Sequence, residues 1–281
     1  MHITFVVLHY LTLDDTVECV ESILNINYDK FSIVIVDNGS TNSSGIILKE
    51  KYKDNNLVNI IISEENLGFA KGNNIGYRYA KYSQNADFII LINNDTVIKQ
   101  IDFCDKLVND FKGYKFDIAG PKIISLVDKK NQNPVPKIFY NKVQVKKFIR
   151  KFKLLLIMNY IGVDSVFENL IKKVKGKNEK YNKEVEDIQL HGSCIIFSKN
   201  YIDKYDGLYD KTFMYMEECI LKYISDRDNL KMKYLDNITI YHKEDSSTNV
   251  FLKNNLRKRR FYYKNSLESC NLLLGLMNKG E

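Results

Sequence analysis

Asn93, Asn94 and Asp95 follow directly on an unbroken apolar run, residues 88 to 92. An apolar run of this length that stops at polar residues predicts a strand buried on both faces. Ligands of open α/β sheets bind beyond the carboxyl ends of the strands, so Asp95 is a carboxylate at a predicted binding edge. The same residues also suit a loop or a helix cap, and only further motifs favour the binding site.

The elements around this strand repeat one design. Apolar segments at 3–8, 31–36 and 57–63 predict strands, and helical patterns follow them at about 14–24, after residue 41 to about 53, and after the glycine-rich segment that ends at residue 76. Strands that alternate with helices at this spacing predict a doubly wound, parallel α/β sheet with right-handed crossovers. Later strands are predicted at 118–125, 195–197, 231–235 and 238–242, with a helix at about 217–226 and a helical tail after residue 251.

A glycine-rich segment, residues 65–76, precedes one of these helices. It does not follow the first strand and does not have the G-x-G-x-x-G spacing, so a dinucleotide-binding fold is not indicated. Two interpretations stay open for its three glycines. They allow the backbone to approach a bound nucleotide closely, or they permit tight turns.

Length and composition set further bounds. A chain of 281 residues with 44% hydrophobic content is long enough to bury a full core, and disorder is not expected. The five cysteines are scattered without a C-x-x-C pair, which indicates reduced thiols rather than zinc or disulfide chemistry. No apolar run reaches the length that spans a bilayer, and the N-terminus lacks the pattern of a signal peptide. We therefore expect a cytoplasmic protein.

Positive charge is concentrated in one region. Residues 129–183 hold fifteen Lys and Arg against three acids, so the rest of the chain is net acidic although the whole chain carries +7. Within this region, residues 142–175 mix cations with aliphatic and aromatic side chains, as amphipathic helices on an anionic membrane surface do. A solvated helical pair on the core is the competing interpretation. A nucleic-acid partner is not expected, because no nucleic-acid-binding module accompanies the charge.

Four motifs in order resemble family 2 glycosyltransferases of the GT-A fold, and within them the bacterial rhamnosyltransferase-like branch. They are VDNGST at 36–41, ENLGFAKGNN at 65–74, LINNDT at 91–96, and GSCIIF, YDGLYD and FMYMEE between 192 and 218, followed by Tyr241-His242. The resemblance covers most of residues 3–243. It implies a Rossmann-like, mostly parallel sheet flanked by helices, with a basic helical insertion and C-terminal helices.

The resemblance also implies roles for individual residues. The nucleotide-sugar site would comprise Tyr10, Asp37, Asn66, Gly68, Lys71, Asn93, Asn94 and Asp95, with Tyr10 and Asp37 at the base. Asp95, the last residue of a D-x-D-like motif whose first position is Asn93, and His242 would hold Mg²⁺ or Mn²⁺ at the diphosphate. Glu218, supported by Glu217, would be the catalytic base, and His191 and Gly192 would lie on the acceptor side.

Elementary chemistry agrees with these roles. A hard divalent cation that keeps waters and substrate phosphates as ligands needs only one or two protein ligands, so Asp95 with His242 is sufficient. Inverting transfer needs a carboxylate that takes the acceptor hydroxyl proton, a contribution of about 10²–10⁴-fold. No covalent enzyme intermediate is required.

The expected organisation has four parts. Residues 1–125 would bind the nucleotide-sugar, 126–187 would form the basic insertion, 188–245 would form the acceptor and catalytic part, and 246–281 would form a helical tail. The expected partners are a nucleotide-sugar donor (dTDP-rhamnose or a UDP-sugar), a glycan or lipid-linked acceptor of bacterial surface polysaccharide synthesis, and the inner face of the cell membrane. Formation of a homodimer is left open.

Two alternatives compete with this function. A nucleotidyltransferase would share the sheet and the metal, but it should carry a Gly-rich basic loop after the first strand, and residues 9–15, HYLTLDD, lack one. A catalytically inactive scaffold descended from the same fold is the second alternative. Its support is Glu218 where the family usually has Asp, and Ile220 where the family often has a further acid.

Overall fold

The computed structural model describes residues 1–139, 141–165, 188–244 and 254–280. The strands in these ranges are Ile3–His9 (β1), Phe31–Asp37 (β2), Val58–Ile62 (β3), Phe88–Asn93 (β4), Thr96–Val97 (β5), Ile118–Ser125 (β6), Cys194–Ser198 (β7) and Met232–His242 (β8). The helices are Leu13–Leu24 (α1), Ser44–Lys51 (α2), Phe69–Tyr82 (α3), Phe103–Tyr114 (α4), Lys142–Tyr160 (α5), Lys199–Ile202 (α6), Glu217–Arg227 (α7) and Asn255–Lys279 (α8).

All eight strands form one sheet in the order β3-β2-β1-β4-β7-β6-β8-β5. The first four strands along this order are parallel, as the strand–helix alternation predicts. The β7 strand is antiparallel to both of its neighbours, so the sheet is mixed rather than wholly parallel. Because β6 and β7 are antiparallel neighbours, the chain between them leaves and re-enters the sheet at one edge, which is also the edge where β1 and β4 end.

Helices cover both faces of the sheet, and the central strands are accordingly apolar on both sides. Odd-numbered β1 residues such as Phe5 and Val7 pack with α1 and α4, whereas Val6 packs with α3. The α3 helix approaches closely because Gly76 faces the sheet. A Cβ atom at Gly76 would lie 2.4 Å from a methyl group of Val6, so a larger residue would push α3 off the sheet.

The β8 strand differs from the sequence prediction. Two strands were expected at 231–235 and 238–242, but one strand runs from Met232 to His242. Its pairing with β6 jumps between Pro121 and Lys122, because Leu235 faces Pro121 and Thr239 faces Lys122. The three residues between them form a bulge, which lets the polar Asp236 and Asn237 stay exposed without ending the strand.

A third apolar cluster joins α5, α7 and α8. Buried members include Phe152 of α5, Ile220 of α7 and Leu273 of α8. The expected basic amphipathic helix is therefore confirmed over Lys142–Tyr160, and the expected helical tail over Asn255–Lys279. The rest of the predicted basic segment, residues 166–175, lies outside the described residues.

Part of the basic run at residues 257–260 has a tertiary role. Arg259 Nε lies 2.5 Å from a carboxylate oxygen of Asp164, which is fully buried. The hydrogen bond from Arg259 lowers the pKa of Asp164 to about 2 against the opposing effect of burial. Arg260 donates to the side-chain oxygen of Asn159 at 2.9 Å and lies over the ring of Tyr160. These two arginines connect the first turns of α8 with the end of α5 and with Asp164, which follows α5.

The five cysteines are buried free thiols, as the sequence indicates. Across the described parts of the chain, none of the helices combines the length and the apolar character needed to cross a membrane.

Candidate active site

A cavity of about 450 Å³ opens at the carboxyl edge of β1 and β4. Eleven of the thirteen residues that the sequence singles out line it: Tyr10, Asn66, Gly68, Asn93, Asn94, Asp95, His191, Gly192, Glu217, Glu218 and His242. These residues come from distant parts of the chain, and the sheet edge brings them together. The remaining two, Asp37 and Lys71, do not line the cavity.

Asp37 and Lys71 are turned away for separate local reasons. Asp37 ends β2 and is buried, and its carboxylate accepts a hydrogen bond from the backbone N–H of Ser40 at 3.1 Å. Lys71 is exposed on α3, because the small residue Gly72 and the equally small Gly76 occupy the face of that helix that packs on the sheet. Neighbours on a helix point about 100° apart, so Lys71 faces solvent.

Asn38, the residue after Asp37, lines the cavity although sequence reasoning did not select it. Its side-chain amide donates to Asn66 Oδ1 at 3.1 Å and accepts from the backbone N–H of Leu67 at 3.0 Å. Gly68 has φ +82°, and a Cβ atom there would lie 2.1 Å from the carbonyl oxygen of Phe213. Asn38 and this glycine therefore hold the 66–68 loop at the cavity wall. The VDNGST motif contained the signal for Asn38.

The tip of β4 is fixed by hydrogen bonds on both sides. The backbone N–H of Asn93 donates to the carbonyl of Ser193 at 2.9 Å. The amide of Asn94 donates to the hydroxyls of Thr12 at 2.7 Å and Thr16 at 2.8 Å. Asp95 accepts a backbone hydrogen bond from Lys243 at 2.9 Å. The backbone at Asp95 is consequently held both by the tip of β4 and by the residue that follows β8.

Asp95 and His242 meet at this edge. Oδ1 of Asp95 lies 3.3 Å from Nε2 of His242, and both side chains are less than 10% exposed. This separation is longer than the roughly 2.7–3.2 Å of an N–H···O hydrogen bond. It is close to the separation of about 3 Å between adjacent ligands of an octahedral ion with bonds near 2.1 Å. The carboxylate oxygen and the imidazole nitrogen therefore fit a divalent cation.

Asp95 and His242 do not belong to a larger cluster of metal-binding side chains in the described residues. Among the residues that the structure describes, no group of three or more His, Cys, Asp or Glu side chains could hold a metal ion. A cation held by only Asp95 and His242 would keep several other ligand positions for water or phosphate oxygens. That pattern is typical of Mg²⁺ sites, at which the substrate supplies phosphates.

Glu217 and Glu218 begin α7 and face the same cavity. The two residues before them, Tyr215 and Met216, have φ values of +72° and +69°, a conformation that costs free energy for residues with a Cβ atom. This left-handed pair turns the chain into α7 at the cavity. Gly192 leaves room for Glu218, since a Cβ atom there would lie 3.1 Å from Glu218 Oε1.

The two carboxylates differ in their environment. Burial, and then the neighbouring charge of Glu218, raise the pKa of Glu217 to about 8. Burial also raises the pKa of Glu218, although part of that residue is exposed to the cavity. Glu217 is the more buried of the two, and a pKa of about 8 means that it holds a proton at neutral pH. A carboxylate with a raised pKa is a stronger base than an ordinary one.

His191 lines the cavity beside His242. Its Nδ1 accepts a hydrogen bond from the backbone N–H of Ser193 at 3.2 Å, so its Nε2 carries the hydrogen. Burial, and then His242, lower the pKa of His191 to about 4. The ring is thus neutral at pH 7. Its centroid lies 5.7 Å from that of His242.

An aromatic wall closes another side of the cavity. The rings of Phe213 and Tyr215 lie 6.1 Å and 6.2 Å from the ring of Phe261, and all three residues line the cavity. Phe261 comes from α8, a helix in which the sequence analysis predicts no site residue. Gln132 and Glu244 also line the cavity. The sequence analysis missed both, because residues 131–137 resemble a linker and the HKED segment lacks a recognised motif.

Comparison with known proteins identifies the family of this chain. The Glycosyl transferase family 2 model matches residues 4–205, which is more than half of the chain. The chain is 35% identical over 98 residues to "Glycosyltransferase GlyG" of Streptococcus pneumoniae serotype 4, covering 35% of this chain and 31% of that protein. It is 24% identical over 244 residues to "Low-salt glycan biosynthesis hexosyltransferase Agl10" of Haloferax volcanii, covering 84% of this chain and 68% of that protein.

Among solved structures, the chain is similar to TarS of S. aureus. The TarS 1-349 complex with UDP gives a TM-score of 0.58 at 15% identity and covers 86% of this chain and 60% of that one. The complex with UDP-GlcNAc gives a TM-score of 0.58 at 12% identity, covering 100% and 72%. This chain thus spans about a third of GlyG and less than two thirds of TarS 1-349 in its UDP complex.

The expected fold is confirmed by this likeness: a mostly parallel, curled sheet flanked by helices, as in the GT-A structures of TarS. The family model extends over β1 to β7 and includes the Asp95 tip. It ends at residue 205, before the acid pair, His242 and the aromatic wall. On these grounds the chain belongs to glycosyl transferase family 2.

Proposed function

We propose that this chain is an inverting glycosyltransferase of the rhamnosyltransferase-like branch. It moves a sugar from a nucleotide-diphosphate donor, dTDP-rhamnose or a UDP-sugar, to a glycan or lipid-linked acceptor in bacterial surface polysaccharide synthesis. The observation that carries the proposal is one cavity lined by both the Asp95–His242 pair and the Glu217–Glu218 pair. A diphosphate leaving group and an acceptor hydroxyl need these two kinds of group on opposite sides of the reacting carbon.

The donor side of the cavity is assigned to Tyr10, Asn38, Asn66 and Gly68. Tyr10 offers a ring face for stacking, and the amides and backbone of the 66–68 loop offer hydrogen-bonding groups for a base or ribose. The complexes of TarS with UDP and UDP-GlcNAc support a nucleotide-sugar as the donor class. The name of Agl10, a hexosyltransferase of glycan biosynthesis, supports a hexose as the transferred group.

Asp95 Oδ1 and His242 Nε2 would hold Mg²⁺ or Mn²⁺ beside the donor phosphates. When bound, such an ion neutralises negative charge on the departing diphosphate. The neutral His191 side chain adds a hydrogen-bond donor, its Nε2–H, on the same wall of the cavity as His242. A neutral donor can bind a phosphate oxygen or an acceptor hydroxyl without competing for the cation.

Glu218 is assigned as the general base. It accepts the proton of the acceptor hydroxyl as the acceptor oxygen bonds to the anomeric carbon and the bond from that carbon to the phosphate oxygen breaks. Attack opposite to the leaving group inverts the anomeric configuration, and the nucleoside diphosphate departs. Glu217 keeps its proton and holds the start of α7, so the pair does not place two negative charges in one buried site.

The acceptor side is assigned to Gly192 and to the aromatic wall formed by Phe213, Tyr215 and Phe261. Aromatic faces bind the apolar C–H surfaces of sugar rings, and they lie next to the proposed base because Tyr215 is only three residues from Glu218. The small size of Gly192 leaves space beside Glu218 for an incoming hydroxyl. The wall lies outside residues 4–205, the part of the chain that the family model matches.

A peripheral position on the inner face of an anionic membrane completes the proposal. The α5 helix contains six Lys and Arg and no acid. Its exposed apolar side chains include Val143, Leu154 and Ile157. Each cation near an anionic surface contributes about 1 kcal/mol to binding. A lipid-linked acceptor would be presented at the same surface.

A screen of nucleotide-sugars tests the proposed donor class. Thermal unfolding is followed with each donor in the presence and absence of Mn²⁺, and a ligand at 100 times its Kd stabilises the folded state by about 2.7 kcal/mol. We expect dTDP-rhamnose or one UDP-sugar to raise Tm only with Mn²⁺ present. Release of free nucleoside diphosphate in the presence of an acceptor then separates a transferase from an inactive scaffold.

A further inference from the structure

The side chain of His242 is held by a chain of hydrogen bonds that the proposed reaction does not explain. Its Nδ1 lies 2.9 Å from Oε1 of Gln132. Gln132 Nε2 in turn lies 2.9 Å from an oxygen of Glu244, and the hydroxyl of Ser125 contacts that same oxygen. Gln132, Glu244 and His242 all line the cavity, and Ser125 is fully buried.

The direction of each hydrogen bond in this chain is determined. The backbone N–H groups of Val127 and Asp128 donate to Ser125 Oγ at 3.1 and 3.2 Å, so the hydroxyl hydrogen of Ser125 is directed to Glu244. An ionised carboxylate only accepts, so Gln132 must turn its NH₂ group toward Glu244. The Gln132 carbonyl oxygen then faces His242 and can only accept. Nδ1 of His242 must therefore carry a hydrogen.

The backbone also holds Gln132 at this position. Its backbone N–H donates to the carbonyl of Ile123 at 2.8 Å, which ties the residue to β6. The backbone N–H of Leu126 donates to the carbonyl of His242 at 2.8 Å and joins the same turn to the end of β8. The turn after β6 therefore fixes both the amide of Gln132 and the ring that it contacts.

We propose that Gln132 and Glu244 are positioning residues that hold His242 in its Nδ1–H tautomer, so that Nε2 keeps its lone pair beside Oδ1 of Asp95 and the two atoms can bind one divalent cation. This inference deepens the proposed function and rests on its metal assignment. A neutral imidazole has only one hydrogen, and a hydrogen on Nδ1 leaves Nε2 free to bind a cation. A carboxylate–amide chain of this kind is how proteins orient the other nitrogen of a metal-binding histidine.

The tautomer of His242 can be measured directly, without an activity assay. The chain has only four histidines, so the imidazole ¹⁵N resonances of ¹⁵N-labelled protein can be assigned by single substitutions. In the metal-free protein at pH 8 we expect His242 to show a protonated Nδ1 and an unprotonated Nε2. His191 serves as the internal control, because Ser193 imposes the opposite tautomer on it.

Three variants separate positioning from general damage to the fold. Gln132→Leu removes the acceptor for Nδ1–H, and Glu244→Leu removes the group that orients the Gln132 amide. In both, the nearby Asp95 carboxylate should draw the hydrogen to Nε2, and the Mn²⁺ affinity measured by EPR with UDP present should fall about 10–100-fold. Glu244→Gln keeps an oxygen for Gln132 and should retain the wild-type tautomer and most of the affinity.

The His242 tautomer and the Mn²⁺ affinity of these variants together decide the proposal. The proposal is supported if His242 changes tautomer and Mn²⁺ affinity falls in Gln132→Leu and Glu244→Leu, while the His191 resonances and the Tm stay near their wild-type values. It is overturned if wild-type His242 carries its hydrogen on Nε2, or if Gln132→Leu changes neither the tautomer nor the affinity. Failure of the wild-type protein to bind Mn²⁺ with UDP would instead contradict the metal assignment of the proposed function, because the tautomer measurement does not involve metal.

Discussion

Thr96 and His242 face each other as direct partners in the antiparallel pairing of β5 with β8. Because Asp95 is the residue before Thr96, this pairing brings its carboxylate to 3.3 Å from the imidazole of His242. The β5 strand has only two residues, yet it joins the tip of β4 to the last strand of the sheet. The proposed cation site thus depends on a short strand at the edge of the sheet.

Replacement of Asp95 by Asn should abolish Mn²⁺-dependent binding of the nucleoside diphosphate. The amide keeps the size of the side chain but removes the negative charge that a divalent cation requires. Isothermal titration of UDP and dTDP with and without Mn²⁺ measures the effect, and we expect the metal-dependent part of the affinity to disappear. Asp236 is an exposed carboxylate on β8. The variant Asp236→Asn is therefore the matched control and should bind UDP and dTDP like wild type. Unchanged Mn²⁺ dependence in Asp95→Asn would contradict the assignment.

Acidification should destabilise the fold through His9. Burial, opposed by the charge of Asp37, lowers the pKa of His9 from 6.5 to about 4. The unfolded chain therefore takes up a proton on His9 that the folded chain does not. The contribution of His9 to stability is complete above about pH 6.5 and is lost as the pH falls toward 4. Between pH 7 and pH 5 this loss is about 2 kcal/mol.

Proton NMR of the histidine rings checks this prediction. The His9 resonance should show no titration step near pH 6.5 in the folded protein and should begin to shift only near pH 4. In concentrated urea all four histidines should titrate near their ordinary pKa. A His9 midpoint near 6.5 in the folded protein would mean that the buried contacts of its ring with Thr16 and Ser44 do not exclude the charged form.

Truncation of Phe261 should weaken acceptor binding without affecting the donor. Phe261→Ala removes the ring that α8 contributes to the aromatic wall. Loss of a buried contact between a sugar and an aromatic ring costs about 1 kcal/mol, which corresponds to a rise of roughly five-fold in the acceptor KM. Phe261→Leu should have a smaller effect because it keeps apolar contact. Tyr114→Ala, an exposed aromatic remote from the cavity, is the control. An equal rise in the donor KM would show that the wall is not acceptor-specific.

Charge reversal on α5 should reduce binding to anionic vesicles. The triple variant Lys146→Glu, Lys147→Glu and Lys153→Glu changes the charge of this helix by six, and we expect co-sedimentation with phosphatidylserine-containing vesicles to be lost. Neutral phosphatidylcholine vesicles provide the baseline. If the wild-type protein sediments equally with both kinds of vesicle, the basic segment is only a solvated face of the α5–α8 pair.

Local sequence patterns predicted the parts of the site that terminate strands. Asp95 could be found because a fully buried strand stops there, and that pattern needs no knowledge of other segments. The helix start at Glu217 was predicted at the observed residue. Lys71 was selected with the glycine-rich segment, but helix geometry decided its direction, and the small residues next to it took the inward face.

The remaining parts of the site depend on contacts between distant segments. Gln132 belongs to a stretch that resembles a linker, and it reaches the cavity only because its backbone bonds to β6. Phe261 belongs to the C-terminal helix, for which the sequence predicted no part of the site. The antiparallel direction of β7 also follows from where the chain between β6 and β7 returns to the sheet, which periodicity along the strand does not report.

The most direct test of the central claim is the comparison of Glu218→Gln with Glu217→Gln in a transfer assay. Glutamine keeps the shape of each side chain, so donor and Mn²⁺ affinity should persist in both variants. We expect Glu218→Gln to lower kcat by about 10² or more, because the general base is lost, and Glu217→Gln to retain most of the turnover, because Glu217 is already protonated. Near-normal turnover by Glu218→Gln together with an inactive Glu217→Gln would assign the base to Glu217. Full activity of both variants would contradict the proposed mechanism.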